Sequence, residues 1–115
     1  MVLRALPMSW TSLCEVEELL EGEGQYVEIG GFQLAVFRDA DRFFVVDNTC
    51  PHAGGSLSGG RVEDGCVICP WHDWAFHLEN GQLRGLPGVT ISTYKTRIYP
   101  IAGKPSLLQA DLPIF

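Results

Sequence analysis

The chain is short of positive charge. Eight Lys and Arg stand against 14 Asp and Glu, for a net charge of −6. A surface of that sign repels phosphate backbones and anionic lipid, which argues against nucleic acid and acidic membrane as main partners and suits a basic patch on another protein. Long apolar runs are also missing. No stretch approaches the roughly 18 residues that a membrane-spanning helix needs, so no membrane anchor is expected. Met1 to Pro7 holds one Arg but no apolar stretch of useful length and no small-residue cleavage site. That argues against a signal peptide and makes the cytoplasm the expected compartment. Internal repeats and low-complexity linkers are absent. There is no phosphate loop, no dinucleotide fingerprint and no Ser-His-Asp candidate with a nucleophile motif, so nothing points to an enzyme acting alone.

What is present suits one small globular domain. The 115 residues are 46% hydrophobic and 19% charged, well away from the disordered range. Thirteen Gly and seven Pro call for many turns between short elements. Strand-like runs recur at the spacing of small all-β domains: Trp10–Leu13, Gln25–Ile29, Phe32–Phe37, Phe43–Val46, Cys66–Ile68, Ala75–Leu78, Thr93–Tyr99 and Leu107–Ala110. Gly30-Gly31 reads as a tight hairpin, and Asp39-Ala40-Asp41 and Glu79-Asn80-Gly81 read as the turns that follow. Glu15–Leu20 is the one plausible helix, with Ser12 and Glu15 at capping-box spacing.

The stretch from Asn48 to Gly88 differs from the rest. It carries Gly54-Gly55, Gly59-Gly60, Gly65, Gly81, Gly85 and Gly88 together with all three His. A Gly-rich loop lets backbone N–H groups approach an anionic ligand closely, and loops longer than about 12–15 residues are usually functional. Two motifs lie inside it, Cys50-Pro51-His52 and Cys69-Pro70-Trp71-His72, with 16 residues between His52 and Cys69. Each offers one thiolate and one imidazole within a single turn of chain stiffened by a Pro. Two such loops held tip to tip bring two sulfurs and two nitrogens together. Thiolate with imidazole suits Zn²⁺ or an iron–sulfur centre. Common zinc sites pair C-x-x-C with H-x₃₋₅-H, whereas each motif here mixes the two ligand types. A binuclear centre can divide such a set, both Cys on one metal and both His on the other. The remaining Cys14 and Cys66 are single residues in strand-like context and read as buried packing rather than as a disulfide. His77, outside both motifs, reads as a surface residue or as one supporting the site from behind.

Residues 50 to 72, C-P-H-A-G-G-S-L-S-G-G-R-V-E-D-G-C-V-I-C-P-W-H, resemble the Rieske [2Fe–2S] proteins, whose pattern is C-x-H, a spacer of comparable length, then C-x-x-H. The resemblance runs from about Trp10 to Leu108. It implies a small antiparallel β sandwich or barrel with a cluster-binding loop subdomain, here a domain over residues 8–112 with the loops within about 48–88. It implies that Cys50 and Cys69 bind the inner iron and His52 and His72 the outer one, with Gly55, Leu57, Trp71 and Trp74 around them, Leu57 packing over the cluster and Trp71 shielding it. With all four protein ligands in place the centre has no open position, so it moves electrons and does not bind substrate. Two ferric ions, two sulfides and four thiolates sum to −2; two neutral imidazoles in place of thiolates bring the oxidised centre to zero, which takes an electron more readily. Rieske centres accordingly span roughly −150 to +300 mV, against about −400 mV for plant-type ferredoxins.

The chain reads as belonging to the low end of that range. High-potential members bridge the two loops with a disulfide whose positions correspond to Gly55 and Trp71 here, and donate to sulfur from a Ser and a Tyr whose positions are Trp74 and Phe76. Fewer hydrogen bonds to sulfur lower the potential. The resemblance therefore implies a soluble single-electron carrier of the Rieske ferredoxin kind, taking electrons from a reductase and delivering them to a terminal oxygenase-type enzyme. The alternatives are a non-catalytic small subunit of an assimilatory nitrite reductase, bound to a larger reductase subunit, and a structural zinc module built on the same four residues. Asp73 and His77 depart from the ferredoxin pattern, which has Gly and Asp at those positions. Asp visits left-handed backbone more readily than most residues, so Asp73 is compatible with the loop.

Overall fold

A computed structural model describes residues 9–51 and 54–113. His52 lies outside the described residues. The fold is all-β and antiparallel, with ten strands in three sheets among the described residues.

The middle sheet has the order β2 (Gly24–Ile29), β3 (Phe32–Asp39), β4 (Arg42–Asp47), β8 (Thr93–Tyr94). Its register follows from its turns. Ile29 pairs with Phe32, leaving Gly30-Gly31 as a two-residue loop in which both glycines take positive φ, 58° and 84°. That backbone matches the twist of a hairpin and excludes most side chains. Asp39 pairs with Arg42 across Ala40-Asp41. β3 is a nearly continuous apolar run because it is buried on both faces, and its period of two divides it. Leu34 and Val36 face one core, Ala35 and Phe37 the other, all fully buried. Burying a Leu, Val or Phe side chain in this way is worth about 1.5–3 kcal/mol.

On the first side lies the sheet β1 (Ser9–Glu15), β10 (Lys104–Leu112), β9 (Thr96–Ile101). Leu108, Ala110 and Leu112 from β10 meet Leu34, Val36 and Val45 there. On the other side, the small sheet β5 (Arg61–Glu63), β6 (Cys66–Ile68), β7 (Ala75–His77) sends Val67 and Phe76 against Ala35, Phe37 and Val46. This second core also contains Cys50, Leu57 and Cys69. Close backbone approaches hold the loop side in place. A Cβ on Gly60 would stand 2.1 Å from the Ile68 carbonyl oxygen, and one on Gly24 would stand 2.5 Å from that of Ser58.

Several expectations need correction. Glu15–Leu20 is not a helix: Val16–Glu18 forms one 3₁₀ turn, and Glu15 is the last residue of β1. The capping box is absent, since Glu15 at the N-cap makes no side-chain cap bond and Ser12 Oγ accepts from Gln109 Nε2. A segment this short cannot repay helix nucleation, and pairing of β1 with β10 through Glu15↔Leu107 takes its first residue. Thr93–Tyr99 is two strands, not one. β8 pairs with β4, the chain changes sheets at Lys95, and β9 pairs with β10. The Lys95 carbonyl accepts from the Asp111 N–H and so fixes the corner. The short strand β5 was not anticipated.

Candidate metal centre

Two hairpin loops meet above the second core. The first leaves β4 at Asp47. Asn48 is buried and anchors it, donating its N–H to the Gln33 carbonyl, accepting the Leu57 N–H at its own carbonyl and the Ser58 N–H at Oδ1. Within that frame the Cys50 N–H donates to Gly55 O and the Gly54 N–H to Cys50 O, both at 2.8 Å. The loop therefore curls back on itself and turns Cys50 inward. The second loop, Cys69 to Trp74, closes the β6–β7 hairpin, with the Cys69 N–H donating to Trp74 O at 2.7 Å. His72 and Asp73 both take left-handed backbone, φ 69° and 58°. Asp73 tolerates this as expected, and His72 shares the strain.

The structure brings the two thiols together. Cys50 and Cys69 are fully buried, both free, and in side-chain hydrogen-bonding contact. Burial pushes the Cys69 thiol above its ordinary range and the Cys50 thiol adds to the shift, while the Trp71 backbone N–H at the sulfur opposes it. A cation there would reverse this balance, since a coordinating thiol is deprotonated outright. His72 is placed differently. It is exposed at the loop tip, and among the described residues no three Cys, His, Asp or Glu side chains converge to hold a metal.

The surrounding residues form the contact between loops. Leu57 is fully buried in the same cluster as both thiols. Gly55 is buried, and a Cβ built on it would lie 3.1 Å from Trp71 Cγ and 3.4 Å from Cys69 Sγ. A side chain there would press on the indole, so glycine lets the ring lie across the first loop. Trp71 remains 54% exposed, which makes it a cover over the junction rather than core. Trp74 is half-buried against the second core, its ring centroid 6.5 Å from that of Phe76. Behind the second loop is a contact that sequence reasoning missed: Cys66 Sγ lies 3.4 Å from His77 Nδ1. Only the register that sets Cys66 opposite His77 reveals it.

Two buried sulfurs joined across facing loops, a backbone N–H aimed at one of them and an imidazole at the exposed tip form a donor set that fits an iron–sulfur centre of mixed ligation. Comparison with known proteins agrees. Residues 9–95 match the Rieske [2Fe-2S] domain family. The chain is 39% identical over 83 residues to cholesterol 7-desaturase nvd of Drosophila melanogaster, which covers 70% of this chain but 19% of that protein. It thus spans about a fifth of the length of that relative. It is 36% identical over 92 residues to the anthranilate 1,2-dioxygenase ferredoxin subunit of Burkholderia cepacia, covering 80% of this chain and 82% of that subunit. A solved structure assigned as an NADH-dependent nitrite reductase small subunit from Mycobacterium tuberculosis superposes with a TM-score of 0.77 at 29% identity, covering 90% of this chain and 95% of that one. No helix among the described residues is long and apolar enough to cross a membrane. With its sequence, fold and paired thiols all of one kind, the chain belongs to the Rieske [2Fe–2S] domain family and has one such cluster as its cofactor.

Proposed function

We propose that the chain is a low-potential Rieske electron carrier in which Cys50 and Cys69 hold the inner iron and His52 and His72 the outer iron. The observation that carries this reading is the meeting of two fully buried thiols from separate hairpin loops beneath an exposed loop tip bearing His72. When bound, the cluster takes up and releases one electron at a time. The chain's own residues arrange that exchange. Leu57 and the second core keep water from the sulfurs, the Trp71 N–H stabilises negative charge on Cys69, and the tip leaves the imidazole side open to a partner.

Low potential follows from what the loops lack. Gly55 and Trp71 cannot form an interloop disulfide, and Trp74 and Phe76 offer sulfur no hydroxyl. A midpoint within about 100 mV of the lower end of the Rieske range is expected, and a redox titration placing it above roughly +150 mV would refute the low-potential assignment. The ferredoxin subunit that this chain nearly matches in length supports a carrier between a reductase and an oxygenase-type enzyme. A second reading, a small subunit bound to a larger nitrite reductase, is favoured by the structural likeness to such a subunit. Rapid reduction by a flavin reductase is expected of the carrier; a stable stoichiometric complex with a large sirohaem protein contradicts it.

A further inference from the structure

The two cluster loops each close on themselves, through the Cys50 N–H to Gly55 O in the first and the Cys69 N–H to Trp74 O in the second. Those bonds shape the loops but do not join them. No disulfide among the described residues joins them either, since Cys14, Cys50, Cys66 and Cys69 are all free. The indole of Trp71 lies across the gap, on Gly55.

Gly55 is needed for its lack of a side chain, not for its backbone. Gly54 beside it takes φ 74°, which favours glycine on its own account, whereas Gly55 lies outside the left-handed region. A Cβ on Gly55 would meet Trp71 Cγ at 3.1 Å and Cδ1 at 3.3 Å, so the ring would have to give way. The same Cβ would stand 3.4 Å from Cys69 Sγ, an ordinary contact. The seat is thus fitted to the ring. The ring in turn adds little to the fold, because Trp71 is half in solvent and stands outside the core cluster that Trp74 packs against. Its position matters at the sulfur instead. The Trp71 N–H donates to Cys69 Sγ, with only Pro70 and its fixed φ between them in the chain. Where the indole rests therefore governs where that donor points.

We propose that Trp71 is a latch between the loops. It acts as a positioning residue: with its indole seated on Gly55 it holds the second loop against the first, keeps its own N–H on Cys69 Sγ and closes a path by which water and chelators reach the sulfurs and the metal they hold. The proposal rests on Cys50 and Cys69 as ligands. A group behind a loop becomes reachable by local opening, and the population of the open form sets the rate at which it is attacked.

Iron-loaded protein is reduced anaerobically with dithionite and mixed with bathophenanthroline disulfonate, a bulky chelator of ferrous iron, and the visible band is followed. Trp71→Ala is expected to lose iron about tenfold faster, from the same starting iron content and with the same far-ultraviolet circular dichroism. Trp71→Phe keeps a ring over Gly55 and is expected to stay within about twofold of the unaltered protein. Gly55→Ala leaves Trp71 in the chain but lifts its ring, and is expected to speed the loss by less than Trp71→Ala does. In a Trp71→Ala background the same change is expected to add nothing, because the ring it displaces is gone. Potential depends on hydrogen bonds to sulfur and on exposure to solvent, so the midpoint is expected to shift in Trp71→Ala and to hold in Trp71→Phe. An unaltered rate in Trp71→Ala, a Phe variant as fast as the Ala variant, or effects of the two substitutions that multiply instead of merging overturns the proposal. A failed ligand assignment shows itself apart from these rates, as iron retained on Cys69→Ser.

Discussion

The two faces of β3 support different kinds of core. On one side Leu34 and Val36 meet the β1–β10–β9 sheet in a core whose fully buried members are all aliphatic. On the other, Ala35 and Phe37 lie under Leu57, Val67 and Phe76, and that core also takes in two thiols. The first needs nothing beyond its own side chains to be complete. The second contains groups whose chemistry is satisfied by metal. One strand, through alternation alone, thus separates the part that keeps the molecule folded from the part that gives it a function.

This contrast can be broken by variants on each side. Cys69→Ser is expected to have the largest effect, complete loss of iron and colour, while the β1–β10–β9 side stays folded and melts cooperatively. Circular dichroism and iron analysis on one sample check it. Collapse of the whole fold along with the iron would erase the distinction between the two cores. Leu108→Ala, in the aliphatic core, is expected to cost about 2–5 kcal/mol in urea unfolding, with the spectrum of the folded fraction unchanged. Leu108 is fully buried. His72→Cys sharpens the comparison from the cluster side. Adding a thiolate in place of a neutral ring makes the centre more negative, and its potential is expected to fall by on the order of 100 mV where the cluster assembles. An unchanged potential in an intact variant contradicts the assignment of His72 as a ligand.

How much of this was legible beforehand varied with the range of the interaction. The thiol and imidazole motifs are local, and so are the Gly30-Gly31 and Ala40-Asp41 turns, which lie where a reader of the sequence places them. Glu15–Leu20 misled because Glu-Val-Glu-Glu-Leu-Leu has helical propensity, which pairing at Glu15↔Leu107 overrides in part. The break at Lys95 leaves no mark, since Thr93 to Tyr99 keeps a strand-like composition while the chain passes from one sheet to another. β5 is charged and flanked by glycine, and only its pairing with β6, from Arg61↔Ile68 to Glu63↔Cys66 across Asp64-Gly65, makes it a strand. The Cys66–His77 contact is likewise a product of register, its members standing 11 positions apart in sequence.

The smallest expected effect concerns the aliphatic side. Cys14 packs beside that core, and burial, with Glu18 nearby, raises its thiol from 9.0 to about 11. The folded state therefore holds the proton longer than the unfolded chain. The stabilisation is full below pH 9 and declines as pH rises from there towards about 11. Because Cys14 is only half-buried, solvent screening reduces the effect to on the order of 1 kcal/mol. Cys14→Ala is expected to flatten the fall in melting temperature over that interval, and an identical profile in the variant would show that the thiol contributes nothing.

The ligand assignment is tested most directly by hyperfine spectroscopy of the reduced protein grown with ¹⁵N-histidine. Two coupled nitrogens from two different histidines are expected, with one lost on His72→Cys and one on His52→Cys. A paramagnetic cluster with no histidine nitrogen coupling, or a colourless protein that holds zinc at those four residues, contradicts it.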